Sequence, residues 1–259
     1  MNKIASAFDH GKAFVAFITC GDPDLETTAR AVRAAVANGA DLIELGIPFS
    51  DPTAEGPVIQ EANLRALQGG VTTDLIFDFV QELRKDVTVP LVFMTYANVI
   101  FSYGAEKFIS TCKEIGIDGL ILPDLPDEEK EEFLPLCRQY GVALISLIAP
   151  TSENRAAMIA REAEGFIYLV SSLGVTGTRS EITTDLKPLI RTIRDNAKVP
   201  VAIGFGISTP EQARTMAALS DGAIVGSAIE KILARYGKDA PEQIGEYVKS
   251  MKDAIKELN

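Results

Sequence analysis

The chain contains no tryptophan, a single histidine (His10) and only three cysteines in 259 residues. Each shortage closes a class of chemistry. One histidine cannot supply both a Ser-His-Asp triad and anything else, and His10 lies in a polar turn before the first apolar run, so a triad and a multi-histidine metal site are both excluded. Cys20, Cys112 and Cys137 form no CxxC pair and no disulfide framework, and the N-terminus has no secretory apolar core. A reduced, cytoplasmic protein is therefore expected. No apolar stretch is long enough to span a bilayer. Basic residues are the minority, 25 Lys and Arg against 36 Asp and Glu, for a net charge of -11. That average repels a phosphate-rich polymer, which argues against nucleic acid. A small phosphorylated ligand remains admissible, because backbone N–H groups at a helix start bind phosphate without Lys or Arg. Low-complexity segments and linkers are also missing, so residues 1–259 are read as one domain.

What is present is a repeating pattern, a short β-branched run followed by an amphipathic stretch. The runs 14–19, 41–45, 91–95, 119–122, 143–148, 165–170, 201–204 and 222–225 are mostly continuous in apolar residues, as parallel strands buried on both faces require. Helical spacing follows at 25–38, 72–85, 105–115, 127–140, 152–164, 186–196, 210–219 and 228–235. Eight strands alternating with eight helices is the count for an α/β (β/α)8 TIM barrel, which typically needs about 250 residues. An open doubly wound sheet is the alternative that periodicity leaves standing. Further helical patterns at 1–8 and 241–258 are expected outside the barrel or across its lower mouth, where Ile4 and Phe8, four apart, would form a plug.

In a barrel, chemistry collects on the loops after the strands. The loops after the sixth, seventh and eighth runs carry Gly174 and Gly177, Gly204 and Gly206, and Gly226-Ser227. Glycines let bare backbone approach a ligand, and Gly226-Ser227 opens a helix whose N–H groups favour an anion. The competing reading is that they only make tight turns. Glu44 stands inside the apolar run Asp-Leu-Ile-Glu-Leu-Gly. A carboxyl buried there has a raised pKa and suits proton exchange near neutrality, unless an Arg or backbone donor pairs it as a structural group. Glu55, on the loop after the same strand, gains interest only as its partner: two carboxyls in different environments can divide proton donation and charge stabilisation. No strand ends in lysine, so aldolase-type Schiff-base chemistry lacks its nucleophile. Cys20 reads as a small buried residue, and Gly204-x-Gly206 lacks the rest of a dinucleotide fingerprint.

The loop contents together resemble tryptophan synthase α subunits. The matching segments begin with Ala13-Phe14-Val15-Ala16-Phe17-Ile18-Thr19-x-Gly21-Asp22-Pro23, then Glu44-Leu45-Gly46-Ile47-Pro48-Phe49-Ser50-Asp51-Pro52 and Gly56-Pro57-x-Ile59-Gln60. Tyr96-Ala97-Asn98, Gly174-Val175-Thr176-Gly177, Gly204-Phe205-Gly206-Ile207-Ser208 and Gly226-Ser227-Ala228-Ile229 complete the order along nearly the whole chain. The resemblance implies retro-aldol cleavage of indole-3-glycerol phosphate to indole and glyceraldehyde 3-phosphate. It implies Glu44 as the acid that protonates indole C3 and Glu55 as the carboxylate that accepts the indole N–H. Tyr168 matches a tyrosine near the first acid, and Phe17, Met94 and Ile121 match the indole walls. Gly177, Gly206, Gly226 and Ser227 match the phosphate cradle, and Thr176 a threonine on the closing loop. One departure stands out: the family's Ala-Asp-Gly is Ala54-Glu55-Gly56 here. The added methylene moves the carboxyl by on the order of an ångström. The resemblance further implies a pyridoxal-phosphate-dependent β subunit as partner in an α2β2 heterotetramer, no cofactor in this chain, Asp51 as a signalling residue, and Asn98 and Pro126 on the contact face. A phosphoribosyl isomerase would want a second phosphate cradle, and indole-glycerol-phosphate synthase would want strand-end lysines; neither is found. A non-catalytic regulatory subunit and a stand-alone lyase are the other readings.

Overall fold

Eight apolar runs become strands because both their faces are covered: every residue of β1 (Ala13–Thr19) and β2 (Leu42–Gly46) is buried. They are followed by β3 (Leu91–Met94), β4 (Gly119–Ile121), β5 (Ala143–Ile148), β6 (Ile167–Val170), β7 (Val201–Gly204) and β8 (Gly222–Val225) in a computed structural model that describes residues 3–150, 152–171 and 185–258. Sequential strands pair in parallel, and β8 returns to β1 with Ala13 opposite Gly222 and Val15 opposite Ile224. That closure decides for the TIM barrel over the open sheet. Among the described residues, no helix is long and apolar enough to cross a membrane.

The helices are α1 (Leu25–Ala37), α2 (Pro57–Gln68), α3 (Thr73–Leu83), α4 (Ala97–Tyr103), α5 (Ala105–Ile115) and α6 (Leu134–Tyr140). They continue with α7 (Glu153–Glu162), α8 (Lys187–Asn196), α9 (Pro210–Leu219), α10 (Ser227–Tyr236) and α11 (Ala240–Lys256). Local chemistry sets their starts: Asp24 accepts the Thr27 N–H ahead of α1, and Thr209 and Gln212 form a reciprocal capping box on α9. The helix expected over 127–140 is broken in two. Asp127–Glu132 is a 3-10 helix and α6 starts afresh at Leu134, with Pro135 in its first turn, where a missing N–H costs nothing. Two helices stand where the sequence reading assigns none. In α2, Pro57 opens the helix and Ile59, Ala62, Asn63 and Ala66 are buried at helical spacing; α4 is a seven-residue helix after β3.

The alternation of the strands creates two cores. Side chains such as Phe14, Ile18, Ile43, Leu45 and Phe93 pack outward against the helices. Val15, Phe17, Leu42, Val92, Met94, Ile121, Phe166 and Tyr168 fill the interior. The lower mouth is closed as expected, with a difference of form: Lys3–Phe8 is 3-10, with Ile4 fully buried in the interior core and Phe8 5.9 Å from the Phe166 ring. Gly119 and Gly165 make the room, since a Cβ on either would lie 3.1 Å from Ile4 Cδ1.

Truncating the plug should therefore cost stability without touching the opposite mouth. Ile4→Ala is expected to lower unfolding stability by about 2–5 kcal/mol, seen as a drop of several degrees in the thermal midpoint. An unchanged midpoint would mean that the plug contributes nothing.

Candidate active site

Strand alternation turns Leu42 and Glu44 inward, while Ile43 and Leu45 face the helices. Glu44 sits in register with Phe17 on β1 and Val92 on β3, so its carboxyl is delivered into the barrel's apolar interior. It is 1% exposed, and its Oε1 has no hydrogen-bond partner. The paired structural carboxylate, the alternative left open by the sequence, is not what is found at that atom. Burial alone pushes Glu44 up to about 8, so it is mostly protonated at neutral pH. The Tyr168 hydroxyl is held far above its ordinary range by burial first and by the Glu44 charge second, so it stays protonated.

Glu44 lines a small cavity inside the barrel, mostly apolar with a few convergent polar groups, as small-molecule sites are. Phe17, Met94 and Tyr168 form its walls, and Gly206, Gly226 and Ser227 line it from the loops after β7 and β8. Close backbone approach shapes it. A Cβ on Gly46 would lie 2.6 Å from Phe17 Cζ, and one on Gly204 would lie 2.4 Å from the Tyr168 hydroxyl, so both rings occupy space that only glycine leaves. At the top of β8 the helix α10 begins. Ile229 and Glu230 already donate to the Gly226 carbonyl, which leaves the amides of Ser227 and Ala228 leading the helix. An anion beside Gly226 and Ser227 meets those N–H groups and the positive end of the helix dipole. The loop after β7 is strained to fit: Phe205 has φ 76, the one non-glycine positive φ among the described residues, followed by Gly206 at φ 82. Ser171 Oγ donates to the Phe205 carbonyl at 2.6 Å and Tyr247 to the Ser208 carbonyl at 3.0 Å, pinning that loop from two sides.

Other sequence-predicted residues fall elsewhere. Ile121 is fully buried in the interior core, in register with Met94, and is not among the residues lining the cavity. Glu55 is not among the residues lining the Glu44 cavity. It is 4% exposed, with Oε2 accepting from Asn63 Nδ2 of α2 at 2.7 Å. Burial pushes it up to about 7, with the Asn63 bond opposing. The adjacent Ala54 donates its N–H to the Tyr96 hydroxyl at 3.1 Å, and Ala54, Met94, Tyr168 and Phe205 line a wider opening above the cavity. Asp51 is exposed and accepts from Ser50 Oγ; Asn98 and Pro126 are exposed. Thr176 and Gly177 lie outside the described residues. Cys20 is buried, its thiol pushed up by burial, and His10 is exposed. Sequence reasoning passed over Phe205, Ile59, Ile207 and Ile224, which also line the cavity, and Asn63, which holds Glu55. Phe205 had a signal, a bulky residue between the glycines of Gly204-Phe205-Gly206; Asn63 belongs to the unread helix.

The chain matches the family described as tryptophan synthase alpha chain over residues 5–258. It is 48% identical to the tryptophan synthase alpha chain of Lacticaseibacillus casei across 98% of this chain and 96% of the relative. Identity to that of Thermoanaerobacter pseudethanolicus is 47%, covering 100% of both chains. Among solved structures, the alpha subunit of Legionella pneumophila superposes with a TM-score of 0.86 at 36% identity, covering 98% of each chain. The structure described as the tryptophan synthase a2b2 complex of Pyrococcus furiosus superposes with a TM-score of 0.87 at 36% identity, covering 94% of this chain and 99% of that one.

The buried carboxyl at position 44 should be visible in stability as a function of pH. In the unfolded chain it ionises near its ordinary 4.5, and in the fold near 8. Its contribution is thus fully present below about pH 4.5 and is lost as pH rises through 8. Glu44→Gln should unfold like the wild type near pH 4. Above pH 8 it should be the more stable protein, by at most about 5 kcal/mol. Denaturant midpoints that stay parallel from pH 4 to pH 9 would contradict this.

Proposed function

The chain belongs to the tryptophan synthase alpha chain family, and from that premise we infer which of its residues carry the family's reaction. That reaction cleaves indole-3-glycerol phosphate to indole and glyceraldehyde 3-phosphate. One observation carries the assignment: an unpaired carboxyl oxygen of Glu44 shares its cavity with the Gly206, Gly226 and Ser227 backbone.

Without protonation indole would have to leave as a C3 carbanion; protonation at C3 lets it leave as the neutral ring. Neutral Glu44 supplies that proton, and the ring becomes an indoleninium cation. The Glu44 carboxylate then takes the proton of the hydroxyl on the glycerol carbon attached to C3. The O–H electrons form the aldehyde C=O, the C–C pair returns to the indole ring, and Glu44 is left protonated for the next turnover. Glu55, which ionises as pH rises through about 7, accepts the indole N–H and in its ionised form stabilises the cation where it develops. In the described geometry its Oε2 is bonded to Asn63, so Asn63 orients the carboxyl that serves the ring. Phe17 and Met94 give the flat ring apolar walls, Ile121 stands in register with Met94, and the Tyr168 hydroxyl lies beside Glu44. Gly206, Gly226 and Ser227 hold the phosphate, with Thr176 and Gly177 contributed by the loop after β6.

We take residues 1–259 as one cytoplasmic barrel domain without a resident cofactor. Its partner is a pyridoxal-phosphate-dependent β subunit in an α2β2 heterotetramer. Support comes from exposed apolar side chains on the helices that follow β2 and β3, Leu64 at 55% and Phe101 at 52%, the first on the helix after the loop that carries Asp51 and the second on α4, which carries Asn98. Asp51 would report ligand occupancy across that face, and Asn98 and Pro126 would belong to it.

Purified chain incubated with indole-3-glycerol phosphate should release indole slowly, and faster with a β subunit. Glu44→Gln is expected to lose about 10²–10⁴-fold in kcat, and Glu55→Gln about 10²-fold. Glu55→Asp, which keeps the charge, should stay within about tenfold of the wild type. The wild-type rate should fall as pH passes about 8, because Glu44 then loses the proton that it donates. Undiminished release from Glu44→Gln would remove the acid from this mechanism. Tight substrate binding with no release from the wild type, with or without the β subunit, would make the chain a regulatory subunit instead.

A further inference from the structure

A second buried carboxyl, unused by the mechanism, sits directly behind the phosphate cradle. Glu230 lies in the first turn of α10, three residues after Ser227, and is fully buried. Its Oε1 accepts the Thr19 backbone N–H at 2.7 Å, which ties the end of β1 to α10. Its Oε2 is buried with no hydrogen-bond partner. The group beside it is another carboxyl, Asp22, on the loop after β1 and 1% exposed. Asp22 is clasped by Arg65 of α2 through bonds of 2.8 and 2.6 Å.

Counting charges decides the protonation state. The groups around Glu230 are Asp22, the Thr19 hydroxyl, Cys20 at the end of β1 and Arg65 across from α2. Cys20 is neutral, its thiol pushed up by burial first and Glu230 second. Glu61, exposed on α2, acts only through Arg65. One cation therefore faces two buried carboxyls, and its two N–H bonds both go to Asp22. Two carboxyl groups in contact without a proton would each present lone pairs to the other, and neither has water to turn to. A proton on Glu230 removes that repulsion and gives its unpartnered oxygen a hydrogen to direct toward Asp22. Burial and the Asp22 charge raise Glu230 in the same direction.

We propose that Glu230 is a positioning residue of the phosphate site. In its neutral form it clamps Thr19 to the first turn of α10 and sits beside Asp22 without repelling it. When it ionises, an unmatched charge appears three residues, about 4.5 Å of helix rise, behind the Ser227 amide, and phosphate is held less tightly. The inference rests on the placement of phosphate at Gly226 and Ser227 given above.

Glycerol 3-phosphate, a stable relative of the triose product, serves as the probe. Its affinity for the full chain would be measured by calorimetry from pH 7 to 9.5 in the wild type, Glu230→Gln, Glu230→Leu and Ser227→Asp. Glutamine keeps an acceptor for Thr19 and offers Asp22 a permanent N–H. At pH 7 it should bind within about twofold of the wild type, and by pH 9.5 the wild type should be weaker than the glutamine variant by on the order of tenfold. Ligand ionisation is common to both proteins, so the ratio isolates Glu230. Leucine, which gives Thr19 no acceptor, should bind weakly throughout, with circular dichroism confirming its fold. A wild-type to glutamine ratio that stays constant with pH overturns the proposal. Ser227→Asp places a carboxylate in the cradle and should abolish binding. If it does not, phosphate lies elsewhere and the site assignment fails together with the proposal; abolished binding with a constant ratio removes the proposal alone.

Discussion

The site depends on one costly placement, a carboxyl held in a closed apolar barrel with no partner at Glu44 Oε1. Water would lower its pKa and remove its use as an acid at neutral pH, so everything around it has to keep water out. The barrel does this from below with Ile4 and the interior layer of Leu42, Val92 and Phe166. The aromatic rings of Phe17 and Tyr168 do it from the sides, and they fit only because Gly46 and Gly204 have no Cβ. Proton chemistry here is thus a product of packing. The same burial that prepares Glu44 as an acid opposes folding wherever the group ionises in the unfolded chain.

The two ends of the substrate make opposite demands, and the barrel meets them with different materials. A flat apolar ring wants side chains; a phosphate wants donors. In a chain of net charge -11, the donors at the proposed cradle would be backbone amides at the start of α10. Amides hold a dianion without a neighbouring cation that would stabilise ionised Glu44 in the same cavity. A lysine in the cradle would bind phosphate and spoil the acid together. The left-handed Phe205 belongs to this economy: strained backbone after β7 brings Gly206 to the cavity and sets the Phe205 ring 6.1 Å from Tyr168.

The strands and the inward acid were readable because parallel strands covered on both faces leave an unbroken apolar signature, against which a lone Glu stands out. All eight strands fall within two residues of the expected positions, and Lys3–Phe8 closes the lower mouth as the spacing of Ile4 and Phe8 implied. The loop glycines Gly206 and Gly226 do line the Glu44 cavity, and that signal was local, since a helix start and its preceding glycine are adjacent in sequence. What was illegible is long-range or irregular. The hydrogen bond from Asn63 to Glu55 spans a loop whose course no periodicity encodes. The break at Phe133, just ahead of Pro135, hides inside a helical pattern that continues through it. Glu230 in the sequence is an ordinary first-turn acid; only the fold shows that Asp22 and Thr19 face it.

Helix α2, which the sequence reading left unassigned, connects these features. Ile59 lines the Glu44 cavity, Asn63 one turn later holds Glu55, and Arg65 reaches Asp22, the neighbour of Glu230. One rigid element thus touches the acid's cavity, the second carboxyl and the support of the phosphate turn. Helical spacing fixes these three contacts relative to each other more tightly than a loop would. The extra methylene of Glu55 belongs in this setting. With a helix-borne amide to bond, the longer side chain is directed by Asn63 rather than left to the loop, so the change from Asp to Glu alters reach while its orientation remains governed by α2.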